Sequence, residues 1–358
     1  MIKKTDVIVI GGGHAGVEAA AAAARIGAEV CLITIDDSKI GVMSCNPAIG
    51  GIGKGHIVRE LDALGGVMPI AADKAGIQFK VLNASKGPAV RGPRCQADRD
   101  IYKKAIQDAL KNYKKIKIVS EIVTALKIKK NKCFGVELAS GESIISNSVV
   151  LTAGTFLNGL IHIGDKKVSA GRLNEKSSTK LGSFLKGLNL PMARLKTGTP
   201  PRLIKSSINF KILEEDFGDN NPDFFSSSTS FSNNKQVSCH ITWTNKETHQ
   251  IIKKSISKSP LYNGTISSRG PRYCPSIEDK IHKFYTRERH RIMLEPEGLE
   301  SELVYPNGIS TSLPLERQID MINSMKGLEK AKIAQPGYAI EYDHIDPRAL
   351  TNTLESKK

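Results

Sequence analysis

No stretch of this sequence approaches the roughly 18 consecutive apolar residues that a membrane-crossing helix requires. The short apolar run behind Met1 has no cleavage site after it, so no secretory leader is expected either. Cysteine is sparse. Six are scattered at positions 31, 45, 95, 133, 239 and 274, with no C-x-x-C pair and no Cys/His cluster at zinc-ligand spacing. That scatter argues against a disulfide framework and a structural zinc, and it predicts a reducing, cytoplasmic compartment. Internal repeats are lacking, and so is acidic charge: 36 Asp and Glu stand against 52 Lys and Arg, a net +16. Such an excess has two explanations that composition alone leaves open. One is a polyanionic partner, with nucleic acid first; the other is a lysine-rich reading of an AT-rich gene.

What is present is a soluble globular composition, 40% apolar and 25% charged over 358 residues, enough for two modest domains or one elaborated one. Asp6 to Ile10 is a β-branched apolar run stopped by three glycines, the pattern of a strand buried on both faces. An alanine-rich helix is expected over Ala15 to Ile26, ended by Gly27, and a second strand over Glu29 to Ile35. Together these form a complete βαβ unit. Gly41 to Gly55 reads as a shaped loop and Ala97 to Lys111 as a helix, with strands around Ile116 to Val119 and Ser148 to Thr152. Past Pro200 the texture changes to short alternating segments around a polar, low-complexity run, Phe224 to Asn234. The fold class expected is α/β: a Rossmann-type domain over 1–200, an inserted α+β domain over 201–300, and an incomplete return to the first domain over 301–358.

Gly11, Gly13 and Gly16 form G-x-G-x-x-G between the first strand and its helix. Each glycine has a task in dinucleotide binding: the tight turn, the approach of the pyrophosphate, and close helix-to-strand packing. The helix N-terminus adds free N–H groups for phosphate. The acidic residue expected at the end of the second strand is replaced by Thr34, with Asp36 and Asp37 beyond it, so the ribose falls to Thr34, to one of these aspartates or to backbone. This weakens an NAD reading. Ser148 to Thr155 (SVVLTAGT) resembles the strand that closes the FAD half-site of two-dinucleotide flavoproteins, so FAD is favoured over NAD at this turn. Ala48 to Gly55 (AIGGIGKG) imitates a phosphate loop, but it lacks the first glycine and the hydroxyl after the lysine, so it is not an NTPase motif.

Five further segments carry a family resemblance: Met43 to His56 continuing through Asp73 to Arg91, Arg194 to Arg202, Gly270 to Phe284 (GPRYCPSIEDKIHKF), and Glu295 to Leu313. Together they closely resemble the glucose-inhibited division protein A family, over essentially the whole chain. The resemblance implies an FAD- and NADH-dependent enzyme. With a GTPase partner, MnmE, such an enzyme adds a carboxymethylaminomethyl group to C5 of the wobble uridine (U34) of certain tRNAs. Methylenetetrahydrofolate donates the one-carbon unit and glycine the remainder, ammonium giving aminomethyl instead. A homodimer of this subunit in a heterotetramer with the partner is implied as well.

Carried over by position, the resemblance assigns FAD to Gly11, Gly12, Gly13, His14, Ala15 and Gly16, with Val123 and Ser178 as further contacts. It assigns NAD to Gly270, Pro271, Arg272, Tyr273, Cys274, Pro275, Ser276, Ile277, Glu278, Asp279, Lys280, Ile281, His282, Lys283 and Phe284. The family's two functional cysteines fall on Cys45 and Cys274, as nucleophile and acid/base in an order the residues leave open. Uracil C5 becomes nucleophilic only after a group adds at C6, for which a thiolate is suited. Cys31, Cys133 and Cys239 read as inert apolar fillers. Cys95 stays open, because Arg91, Arg94 and Arg99 around it form a basic patch suited to flavin phosphate or RNA. Lys103 to Lys132 holds ten lysines against Asp108 and Glu121, net +8, which reads as an RNA-binding face or a solvated one. His282 and His290 read as surface residues.

The resemblance also implies a glycine-rich A-G-Q-x-N-G segment and a partner-docking helical domain beyond Lys358, so the chain reads as C-terminally truncated. Two other functions compete: a flavin oxidoreductase acting on a small molecule, and a non-catalytic remnant. The first of these gives no reason for the loops that carry Cys45 and Cys274.

Overall fold

The computed structural model describes residues 3–268, 270 and 275–357. In chain order the first half runs β1 (Lys4–Ile10), α1 (His14–Arg25), β2 (Val30–Thr34), β3 (Ala48–Gly50), α2 (Gly55–Ala63), α3 (Met68–Ala75), β4 (Gly76–Leu82), β5 (Gly92–Ala97), α4 (Arg99–Lys111), β6 (Ile116–Ser120), β7 (Val123–Lys129), β8 (Lys132–Leu138) and β9 (Ser143–Leu151). The second half runs β10 (Leu160–Ile163), β11 (Lys166–Ser169), α5 (Thr179–Gly187), β12 (Met192–Thr199), β13 (Arg202–Ile204), β14 (Glu214–Asp216), β15 (Cys239–Trp243), α6 (Lys246–Ser255), α7 (Ile277–Lys283), β16 (Arg291–Pro296), β17 (Leu303–Asn307), α8 (Leu315–Asn323), β18 (Ile333–Gln335) and β19 (Tyr338–Ile345).

The expected βαβ unit opens a sheet of order β6-β2-β1-β9-β8-β7, whose first four strands are parallel. Val7–Ile10 of β1 and Val30–Ile33 of β2 are apolar because both faces of the sheet are covered there. Val9 and Leu32 pack under α1 and α4, against Val17, Ala20, Tyr102 and Ile106. On the opposite face, Ile8, Ile10, Cys31 and Ile33 meet Val123, Val136 and Leu138 of the β7–β8 hairpin and Leu181 and Leu185 of α5. Each such side chain contributes about 1.5–3 kcal/mol when fully buried. Alanines on the inner face of α1 let that helix lie close to β1.

A small sheet, β3-β5-β4, packs with α2 and α3. Within the Gly41–Gly55 loop, Ala48–Gly50 is thus a strand paired to β5. A third sheet, β11-β10-β19-β12, carries β19 between β10 and β12. The C-terminal strand β19 is interior to this sheet, with register partners from Met192↔Ile345 to Thr199↔Tyr338.

The fourth sheet, β14-β15-β16-β17-β13-β18, is antiparallel and shares a core with α6, α7 and α8 built on Ile252, Ile277, Ile292 and Met321. It starts at Arg202 and takes its last strand from Ile333–Gln335, so on strand pairing we draw the insert's far boundary near 336 instead of 300. The low-complexity run is anchored to the first half of the chain. Asp73 of α3 accepts from the Phe225 and Ser226 amides at 2.9 and 2.8 Å, and Phe225 is buried in the α3–α4 core.

Candidate functional site

Strand order reverses between the parallel strands β1 and β9, which stay paired as far as Ile10↔Leu151, and a crevice lies beyond their C-terminal ends. A cavity of about 350 Å³ opens there. Gly11, Gly12 and Gly13 form one wall, Thr152 to Phe156 another, and Thr34, Asp36, Val123, Arg172 and Ser178 complete it. Local sterics explain the glycines. Gly11 has φ +113°, and a Cβ on Gly16 would overlap the Gly11 carbonyl oxygen. A Cβ on Gly13 meets nothing within 4 Å, because that position faces the cavity.

The expected FAD residues thus divide. Gly11, Gly12, Gly13, Val123 and Ser178 line the cavity, whereas His14, Ala15 and Gly16 do not. His14 turns its ring edge to Tyr102, and burial, with Arg172 nearby, lowers its pKa to about 4. Of the ribose candidates, Thr34 and Asp36 reach the wall and Asp37 does not. Hydrogen bonds from Ser38 hold the exposed Asp36 carboxyl below its ordinary range. Glu121, Arg172 and Asn174 also line the cavity, and sequence reasoning missed them. Glu121 lies two residues before Val123, while Arg172 and Asn174 sit in a loop with no motif of its own.

A smaller polar cavity, about 150 Å³, shares Ser44, Arg172 and Asn174 with the first and adds Arg99, Arg202, Glu297 and Tyr338. Cys45 sits beside it, half-buried. The Cys45 carbonyl accepts from Arg99 and from Arg202, the latter at 3.2 Å, and Arg99 also donates to the Met43 carbonyl. Both guanidiniums pair with Glu297, at 3.0 Å from Arg99 and 2.7 Å from Arg202. The Cys45 sulfur lies 3.1 Å from the hydroxyl of Tyr305. Three of the resemblance segments, 43–56, 194–202 and 295–313, therefore meet at this cysteine.

The segment 270–284 is described only in part: Pro271, Arg272, Tyr273 and Cys274 lie outside the described residues. Its described residues line neither cavity. Ile277, Glu278 and Ile281 are packed inside the insert. Glu278 accepts from Thr311 and from the Ser312 amide, and burial raises its pKa. Ser276 caps α7, Asp279 pairs with Lys196 at 3.3 Å, and Lys280 donates to the Gly308 carbonyl at 2.7 Å. His282, Lys283 and Phe284 are exposed.

Several other expectations are corrected by the packing. Arg94 and Arg99 form no surface patch: Arg94 pairs with buried Glu295 at 2.6 Å and Arg99 with Glu297. Cys95 is fully buried and its thiol pKa is pushed far up by burial, so it is chemically inert. Burial likewise raises Cys31 to about 11 and Cys239 to about 12. The ten lysines of 103–132 do not form one surface. Lys103, Lys104 and Lys111 stand on α4, which packs on the α1 side of the parallel sheet; Lys114 and Lys115 follow it, and Lys117 is on β6. Lys127, Lys129, Lys130 and Lys132 belong to the β7–β8 hairpin, whose apolar residues cover the other side. His290 is buried against His249 rather than exposed. A larger cleft of about 760 Å³, between Phe210, Phe217, Lys235 and His240, shares no residue with the glycine-rich turn. Among the described residues no helix is long and apolar enough to cross a membrane.

Sheet order, glycine-rich turn and crevice define a Rossmann-type dinucleotide-binding α/β protein with an antiparallel insert. The chain belongs to the glucose inhibited division protein A family, whose profile it matches over residues 6–358. It is similar to two crystal forms of Aquifex aeolicus GidA. Form I is 50% identical with a TM-score of 0.94, and form II is 48% identical with a TM-score of 0.92. Each match covers 99% of this chain but only 60% and 58%, respectively, of the Aquifex chains.

Proposed function

We propose that this chain provides the flavin-binding and insert portions of an enzyme that adds a carboxymethylaminomethyl or aminomethyl group to C5 of tRNA wobble uridine, acting with the GTPase MnmE. Family membership supports this reading. The observation that carries it is the junction of the dinucleotide crevice with the arginine-held Cys45 loop, through the shared residues Ser44, Arg172 and Asn174. The crevice suits FAD: Gly13 leaves the room a pyrophosphate needs, and the start of α1 offers amide donors. Gly11 to Gly13, Thr34, Asp36, Val123 and Ser178 would hold it. FAD, when bound, supplies two-electron transfer, with NADH as the reductant.

The chain's own part is thiol chemistry. A thiolate forms a bond to uracil C6, and the C5–C6 π pair shifts to C5, which then bonds to the carbon of an iminium derived from methylenetetrahydrofolate, the C=N π pair moving to nitrogen. A base next takes the C5 proton, the pair restores the double bond, and sulfur leaves. Cys45 and Cys274 divide these roles. Arg99 and Arg202 fix the backbone of the Cys45 loop, so its sulfur is presented without a search over loop conformations.

The test is U34 modification, scored by mass spectrometry on tRNA from cells whose complete protein carries Cys45→Ser. Modification is expected to disappear while bound flavin is retained, and Cys31→Ser is expected to modify normally. Normal modification by the Cys45 variant would remove that thiol from the reaction.

A further inference from the structure

Cys45 differs from the other described cysteines in having a phenol as its partner. Tyr305 reaches it from β17, 260 residues away in sequence, with the ring buried and the hydroxyl oxygen 3.1 Å from sulfur. The contact is held from both ends. Arg202 lies 4.6 Å over the Tyr305 ring while donating to the Cys45 carbonyl, and it is itself fixed by Glu297, Thr199 and the Pro200 carbonyl. Arg99 clamps the same loop at Met43 and Cys45. Sulfur and hydroxyl therefore have little freedom to separate.

Resting on the assignment of Cys45 to the uracil chemistry, we propose that Tyr305 is the positioning residue of that sulfur: its hydroxyl donates a hydrogen bond to Sγ, which favours the thiolate and fixes its direction. The phenol keeps its proton throughout; the thiol proton leaves to solvent, and no covalent bond to tyrosine forms. A thiolate can only accept, so the direction of the bond follows once sulfur is ionised. Burial raises the Tyr305 pKa well above the ordinary phenol value, and the neighbouring Cys45 raises it further, so oxygen remains the donor. The other charged and titratable groups facing the pair are Arg99 from α4, Arg202 from β13, Glu295 and Glu297 from and beyond β16, and Tyr338 from β19. Arg99 and Arg202 both pair with Glu297.

The experiment is alkylation of the purified protein by iodoacetamide across pH, with the Cys45 and Cys133 peptides quantified separately by mass spectrometry. Tyr305→Phe keeps the ring under Arg202 and removes only the donor. Cys45 alkylation is expected to slow about tenfold at neutral pH, the loss of one hydrogen bond to a charged group. The profile should shift to the alkaline side and reach the same plateau. Site-specific 3-fluorotyrosine at 305, a stronger donor of nearly the same shape, should shift it to the acid side. Cys133, half-exposed on β8, should react unchanged in both. An unmoved profile would overturn the proposal. So would a rate lowered equally at every pH, which marks altered access, or a matching change at Cys133, which marks general loosening. Because alkylation needs neither flavin nor tRNA, the shift stands apart from the function itself: a displaced profile with normal modification by Cys45→Ser would keep the contact and sink the thiol assignment. An unmoved profile with an inactive Cys45→Ser would do the reverse.

Discussion

Gly13 and Gly16 stand in the same turn and were needed for different reasons, which separates binding from folding at the level of single atoms. A side chain at Gly13 projects into the crevice and meets no protein atom within 4 Å, whereas one at Gly16 collides with backbone. Gly13→Val is therefore expected to purify with a melting temperature within a few degrees of the parent and without flavin absorbance. Gly16→Val is expected to fail to fold, or to lose several kcal/mol in a denaturant titration, about the cost of a core steric clash. A yellow Gly13→Val protein would mean that the crevice does not seat the pyrophosphate. Both glycines were legible in the sequence because their roles are local. The partner of Cys45 was not, since nothing near position 45 announces a phenol at 305.

At the scale of elements, the insert is held by buried polar contacts as much as by its apolar core. The turn entering β16 carries His290, whose amide bonds to Thr244 after β15 and whose ring lies 5.5 Å from His249 of α6. Burial, with Lys280, His249 and Arg287 adding like charge, lowers the His290 pKa to about 4. The sign follows from that direction. The folded chain keeps this ring neutral below pH 6.5 while the unfolded chain takes up a proton. Stability from this group is thus complete above pH 6.5 and declines as pH falls towards 4. His290→Asn should flatten that decline by up to about 3 kcal/mol in urea unfolding compared at pH 7 and pH 4.5. Equal slopes for parent and variant would show that His290 is not the group titrating. The alternation of β15 and β16 marked this region as antiparallel sheet from sequence. That a histidine among basic residues faces inward depended on α6 packing over it.

For the whole molecule, the +16 net charge is the property that bears on the proposed tRNA substrate. With the lysines of 103–132 spread over α4, β6 and the β7–β8 hairpin, affinity is expected to draw on charge spread over the surface rather than on one face. Binding of tRNA, measured by filter retention or fluorescence, should fall steeply between 50 and 200 mM salt, with a log–log slope of several units. Neutralising only the hairpin lysines Lys129, Lys130 and Lys132 should reduce that slope without abolishing it. A salt-independent affinity would detach the charge from RNA binding.

The amino-acid order by itself determined the βαβ unit, its glycine-rich turn and the family. Those depend on contacts between residues close in the chain, or on segments long enough to be distinctive. Tertiary structure decided which polar residues face inward. Arg94 and Arg99 resembled a surface patch until Glu295 and Glu297, about 200 positions later, were brought beneath them by the insert sheet. The place of the final strand between β10 and β12 was likewise set by pairing with segments about 140 to 180 positions earlier. A charge is buried only where an opposite charge or hydrogen-bond partners have been folded against it, and chain order does not record which charges those are.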